Sequence, residues 1–137
     1  MMHRVLYLFV TLFFICGLPG AFAQEKAAEK IFRSIQPQEA LRLLQGRDDI
    51  IFLDVRTPKE RSRGYIPGSQ LVSFNDLVSG KMPLPGDKGI LLVCAVGGRS
   101  YVAGQVLSRK GYKEVYNLSG GLKNWYKQGL PITFDNK

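Results

Sequence analysis

Histidine is almost missing from this chain of 137 residues; the one present is His3. It lies in an N-terminal stretch that reads as a removable signal, so the working chain has none. Without an imidazole, a single chain forms no Cys-His dyad, no Ser-His-Asp triad and no histidine-ligated metal site. Cysteine is nearly as scarce. There are two, Cys16 and Cys94, and only Cys94 outlasts removal of the signal. No internal disulfide is then available, and an unpaired thiol in an exported protein is a candidate reactive group. Dense basic runs are absent as well. The net charge is +8, yet the lysines and arginines are scattered, which suits solubility or small anionic ligands and argues against nucleic acid.

The N-terminus carries what the rest lacks, a sustained apolar run. Arg4 is followed by Val5 to Cys16, broken only by Thr11, then by Gly17-Leu18-Pro19-Gly20 and Ala21-Phe22-Ala23. A basic start, an apolar core and an A-x-A site make a secretory signal peptide over residues 1–23. It predicts an exported protein, in a bacterial periplasm, with no stable membrane anchor after cleavage. The competing reading is an uncleaved anchor, but the run falls short of the roughly 20 residues that span a bilayer. Ile15 stands before Cys16 where a lipidation site would have a small residue. Residues 24–30 read as a polar lead-in, and residues 31–137 as one domain.

Within that domain, strand and helix patterns alternate. Ile31 to Ile35 predicts a first strand, and Pro37 opens a helix that ends at Gly46. Ile50 to Leu53 is a short apolar run of the kind buried on both faces of a sheet. Thr57-Pro58 with Glu60 predicts a capping box and a short helix closed by Gly64. Gln70 to Phe74 predicts a third strand, with Asn75 or Asp76 capping a helical turn. Ile90 to Val93 is the strongest strand, and Ser100 to Lys110 the strongest helix, with Val102, Ala103, Val106 and Leu107 on its apolar face. Glu114 to Asn117 is a last strand. A final helix carries Leu122, Trp125 and Tyr126 as core. The fold class is therefore α/β, a parallel sheet covered on both faces.

Ligands of such sheets sit beyond the carboxyl ends of the strands, and Cys94 occupies such an end. It is followed by Ala95-Val96-Gly97-Gly98-Arg99-Ser100. Gly97 and Gly98 permit a curled backbone that points N–H groups inward, and the helix that follows adds positive potential. Both favour the thiolate, the reactive form of cysteine. The prediction is a sulfur exposed at a pocket mouth and held anionic by main-chain dipoles. Arg99 either shapes this loop or attracts anions. Asp54 and Arg56 read as a structural ion pair, and Lys59, Arg61 and Arg63 as a solvated face.

Four segments occur in the order seen in rhodanese domains. They are Leu53-Asp54-Val55-Arg56-Thr57-Pro58-Lys59-Glu60, Gly64-Tyr65-Ile66-Pro67-Gly68-Ser69, the loop Cys94 to Ser100, and Gly111 to Gly121 with Trp125. The chain resembles a single-domain, exported rhodanese-like sulfurtransferase. The resemblance implies a five-stranded parallel sheet with helices on both sides. It also implies a persulfide on Cys94 between half-reactions, with no separate cofactor and no metal. The loop Cys94 to Arg99 becomes the cradle, and Asp54 and Arg56 become architecture beside it. Three positions depart from the family pattern. Tyr65 stands where histidine is usual, and Arg61 where an aromatic residue is usual. Ala95 and Val96 stand where some members carry cations.

The chemistry so implied is covalent. A thiolate takes the outer sulfur of a small anionic donor such as thiosulfate and passes it to a thiophilic acceptor such as cyanide or a thiol. Two other readings use the same residues. One is a rhodanese-shaped module that carries sulfur for a partner protein or only docks. The other is a cysteine phosphatase or arsenate reductase. Those enzymes place one more residue between Cys and Arg than the four here, Ala95 to Gly98, to surround a tetrahedral oxyanion.

Overall fold

Ile90-Leu91-Leu92-Val93 has no polar face, so only the middle of a sheet buries it completely, and that is where it lies. The computed structural model describes residues 29–135; the signal at 1–23 and most of the lead-in lie outside the described residues. The elements are β1 (Ile31–Ile35), α1 (Pro37–Gly46), β2 (Ile50–Asp54), α2 (Pro58–Arg61), β3 (Gln70–Leu71), α3 (Phe74–Ser79), β4 (Gly89–Val93), α4 (Gly98–Arg109), β5 (Glu114–Leu118) and α5 (Gly121–Lys127). The sheet runs β1-β5-β4-β2-β3, every pair parallel. The five-stranded parallel architecture is the one the resemblance implies.

Alternation along the strands divides the interior in two. Leu91 and Val93 of β4 join Tyr116, Leu118, Ala40 of α1 and Trp125 of α5 on one side. Ile90 and Leu92 join Val115, Leu77 of α3 and Ala103 and Leu107 of α4 on the other, where Cys94 also packs. Each fully buried leucine or isoleucine stabilises this arrangement by about 1.5–3 kcal/mol.

Some boundaries differ from the sequence reading. β3 ends at Leu71 rather than Phe74, because Ser73 caps α3, its hydroxyl accepting from the Asp76 N–H at 3.2 Å. The cap is thus Ser73, not Asn75 or Asp76. Helix α4 starts at Gly98, two residues before the expected Ser100. Its buried stripe is Ser100, Ala103, Gly104 and Leu107, and Val102 is exposed. Gly104 replaces an apolar side chain there because α4 lies close on β1. A Cβ at that position would stand 2.4 Å from the Phe32 ring. The capping box of α2 forms as read, with Thr57 and Glu60 bonding reciprocally.

Candidate active site

Cys94 follows β4 directly, and the chain must reverse from strand to helix within a few residues. Gly97 makes this possible with φ +94°, a left-handed conformation, and serves as N-cap of α4. Its N–H donates to Cys94 Sγ at 3.1 Å. Gly98 has no such φ, so only the first of the two glycines is needed for the turn. The first turn of α5 fastens the loop from its other side. Leu122 N–H donates to the Cys94 carbonyl at 2.8 Å and Lys123 N–H to that of Ala95 at 3.0 Å.

This fastening depends on Gly121, at φ +58°. A Cβ there would stand 2.4 Å from the Cys94 carbonyl oxygen and 2.7 Å from the amide nitrogens of Val96 and Gly97. All three are backbone atoms and cannot rotate away. Gly121→Ala is expected to cost about 2–4 kcal/mol, from the left-handed strain and the overlap together. It should also accelerate proteolysis within the loop, as limited digestion would show.

The sulfur sits among donors. Burial pushes the Cys94 thiol up, but the Ser100 hydroxyl and the amides of Ser100, Val96 and Gly97 outweigh it, and the net shift is downward. Ser100 is fully buried, with Oγ 3.3 Å from Sγ and 2.7 Å from Asn117 Oδ1. Asn117 Nδ2 in turn donates to Ser34 Oγ at 2.9 Å. Removing the Ser100 hydroxyl takes away the largest of the effects that lower the thiol. Ser100→Ala is therefore expected to move the pH profile of Cys94 alkylation upward. The one hydroxyl proton is shared between Sγ and Asn117 Oδ1, so its loss also strands Asn117 Oδ1, at about 1–3 kcal/mol of stability.

Arg99 does not bond the sulfur, whose partners are the Gly97 N–H and the Ser100 hydroxyl. Its guanidinium donates twice to Glu60, at 2.5 and 3.0 Å, so it shapes the loop by tying α4 to α2. Paired with Arg99 and accepting from the Thr57 N–H, the Glu60 carboxyl is held down to about 2. Beneath them, Arg56 and Asp54 form a buried bidentate pair, beside β4 where Asp54 pairs with Val93. Arg61 is not part of a solvated face. It bonds Ser69, approaches Asp54 at 3.5 Å and stacks on the Tyr65 ring at 3.6 Å. The two departures from the family pattern, Arg61 and Tyr65, thus pack on each other.

The sequence reading erred on exposure. Cys94 is only 1% exposed, not open at a pocket mouth, because the loop folds over the sulfur. The amides nevertheless face it. Tyr126, expected in the core, is 72% exposed. Ala95 and Val96 line a cleft of about 430 Å³, with Arg56, Glu60, Arg63, Leu122 and Lys123 also on its walls. Glu60 was visible only as a cap and Asn117 only as a strand residue; nothing local in the sequence marks their part in the site. Among the described residues no group of three or more His, Cys, Asp or Glu side chains is placed to hold a metal ion.

The profile of the rhodanese-like domain family matches residues 36–128. A sulfurtransferase of Allochromatium vinosum is 35% identical over 89 residues, covering 65% of this chain and 83% of its own. The thiosulfate sulfurtransferase GlpE of Pseudoalteromonas translucida is 32% identical over 94 residues, covering 69% of this chain and 89% of its own. The crystal structure of a rhodanese-related protein from Thermoplasma volcanium superposes with a TM-score of 0.66 at 30% identity, over 75% of this chain and 99% of that one.

Proposed function

Because the chain belongs to the rhodanese-like domain family, we propose that it is a sulfurtransferase that moves sulfane sulfur through a persulfide on Cys94. The observation that carries the proposal is a sulfur with the Gly97 N–H at 3.1 Å and the Ser100 hydroxyl at 3.3 Å, lowered in pKa despite its burial. The names of its relatives support the transferase class.

In the first half-reaction the Cys94 thiolate attacks the outer sulfur of thiosulfate. A new S–S bond forms, the donor's own S–S bond breaks, and sulfite leaves with the electron pair. In the second, a nucleophilic acceptor attacks the outer sulfur of the persulfide, and the pair returns to Cys94. The thiolate is regenerated, and no separate base or cofactor takes part. The loop amides stabilise the anionic sulfur that is present before and after each transfer. Asp54 and Arg56 hold the neighbouring strand end through their buried pair.

Intact mass after incubation with thiosulfate tests this reading. A one-sulfur adduct that disappears on adding cyanide, with thiocyanate formed, is the expected result; an unmodified mass would sink it. A second reading is favoured by the apolar Ala95 and Val96 and by the buried sulfur. In it the domain loads slowly and carries sulfur for a partner protein. Stoichiometric loading with negligible turnover on cyanide would select it.

A further inference from the structure

Three side chains of the cleft beside the loop break the rule that large apolar groups are covered. Val96 is 63% exposed, Tyr126 72% and Phe134 62%, and all three line one concavity together with Ile132. Contiguous exposed apolar surface of this kind marks a place of interaction. The far wall, Ile132 and Phe134, lies beyond the span that matches the family, 36–128. It is held by a two-bond bridge in which Tyr65 and Thr133 exchange N–H to carbonyl bonds, each 2.9 Å. Packing of Ile132 and Phe134 against Gly64 closes the joint.

The charges of the cleft are not balanced. Arg56 is neutralised by Asp54, and Glu60 by Arg99. Arg63 and Lys123 also line it, and neither has a carboxylate partner among the described residues. Asp135, the acid nearest in sequence to the far wall, forms no ion pair with either of them. An apolar trough with two unpaired cations suits a ligand with an apolar body and a negative end. Its volume, about 430 Å³, is that of a small-molecule site.

Resting on the sulfur-transfer reading above, we propose that this cleft receives the sulfur acceptor, and that the acceptor is a thiol with an apolar body and an anionic tail. The acceptor thiolate attacks the outer sulfur of the Cys94 persulfide. The new S–S bond joins acceptor sulfur to sulfane sulfur, the bond to Cys94 breaks, and the electron pair stays on Cys94. The acceptor's proton goes to solvent, and the product is an organic persulfide, so no outside oxidant or reductant is needed.

The test compares thiols on the full chain. After loading with thiosulfate, 6-mercaptohexanoate should discharge the persulfide with a KM about 10-fold below that of 2-mercaptoethanol, the gain expected for burying about two methylenes. Its KM should also lie below that of 6-mercaptohexan-1-ol. The Arg63→Gln/Lys123→Gln double variant should erase the difference between acid and alcohol. Phe134→Ala should raise the KM for both more than that for cyanide. Equal KM values for the three thiols, unmoved by these variants, would overturn the proposal while loading stayed intact.

Binding of octanoate, which cannot accept sulfur, separates the two levels. Perturbation of the Tyr126 and Phe134 ring signals by octanoate, weakened in the double variant, supports the ligand class even if thiosulfate never loads Cys94. In that case the transfer reading alone falls. Octanoate that leaves those signals unmoved overturns the proposal whether or not loading occurs.

Discussion

The Cys94→Ser variant is expected to take up no sulfur from thiosulfate and to form no thiocyanate, while remaining folded. The two halves of this outcome have different causes. A serine hydroxyl stays protonated at every pH the fold tolerates, and the loop that lowers a thiol cannot supply the many pKa units needed to ionise it. The fold survives because the replacement keeps the local hydrogen bonds. The Gly97 N–H and the Ser100 hydroxyl, now 3.1 and 3.3 Å from Sγ, donate to oxygen as well as to sulfur, so no polar group is stranded. What is lost is the apolar character of the thiol within the buried cluster that Cys94 joins. That loss costs about 1 kcal/mol, or roughly 4–8 °C in Tm for a domain of this size. Intact mass and a thermal melt on the same sample check both halves. An adduct that persists in the variant would have to sit on Cys16, the other cysteine of the chain, and the assignment of the reacting atom would fail.

The sulfur was legible in the sequence because it lies where two local signals meet, an apolar run and a glycine turn. Both are written in adjacent residues, as is the capping box of Thr57 and Glu60. What the sequence hid is written across distance. Ser100 looks like the last loop residue before a helix; only the fold makes it a buried member of α4, bonded to both Cys94 and Asn117. The face of α4 was misread because apolar counting favours Val102, whereas the tight approach of Phe32 selects Gly104. Burial of Cys94 followed the same pattern. The dipoles around it are local, but the cover comes from the loop as fastened by α5, whose Leu122 and Lys123 amides bond the carbonyls of Cys94 and Ala95. The wall made by Ile132 and Phe134 depends on a bridge between Tyr65 and Thr133, and no periodicity encodes a pairing so remote.

Asp54→Ala is expected to be the most destabilising single change at the site, by about 3–5 kcal/mol in urea unfolding. Asp54 and Arg56 are 1% and 5% exposed, and the guanidinium donates to the carboxylate through both Nε and Nη2, at 2.7–3.0 Å. Alanine leaves Arg56 buried with only the Glu60 and Gly64 carbonyls as acceptors, at 3.2 and 3.0 Å. These carry partial charge where a full one is needed. Arg61, 3.5 Å from the same carboxylate, loses its countercharge too. Much of the loss is thus the cost of a stranded cation rather than the worth of the pair, and the double variant Asp54→Leu/Arg56→Met should regain more than half of it. It should not regain the site. Arg56 also holds α2 and the turn after it through those two carbonyls, and α2 carries the Glu60 that anchors Arg99. Persulfide loading should therefore stay slow in the double variant even where stability returns. Full recovery of loading would show that the pair serves the sheet alone and that α2 needs no anchor beneath it.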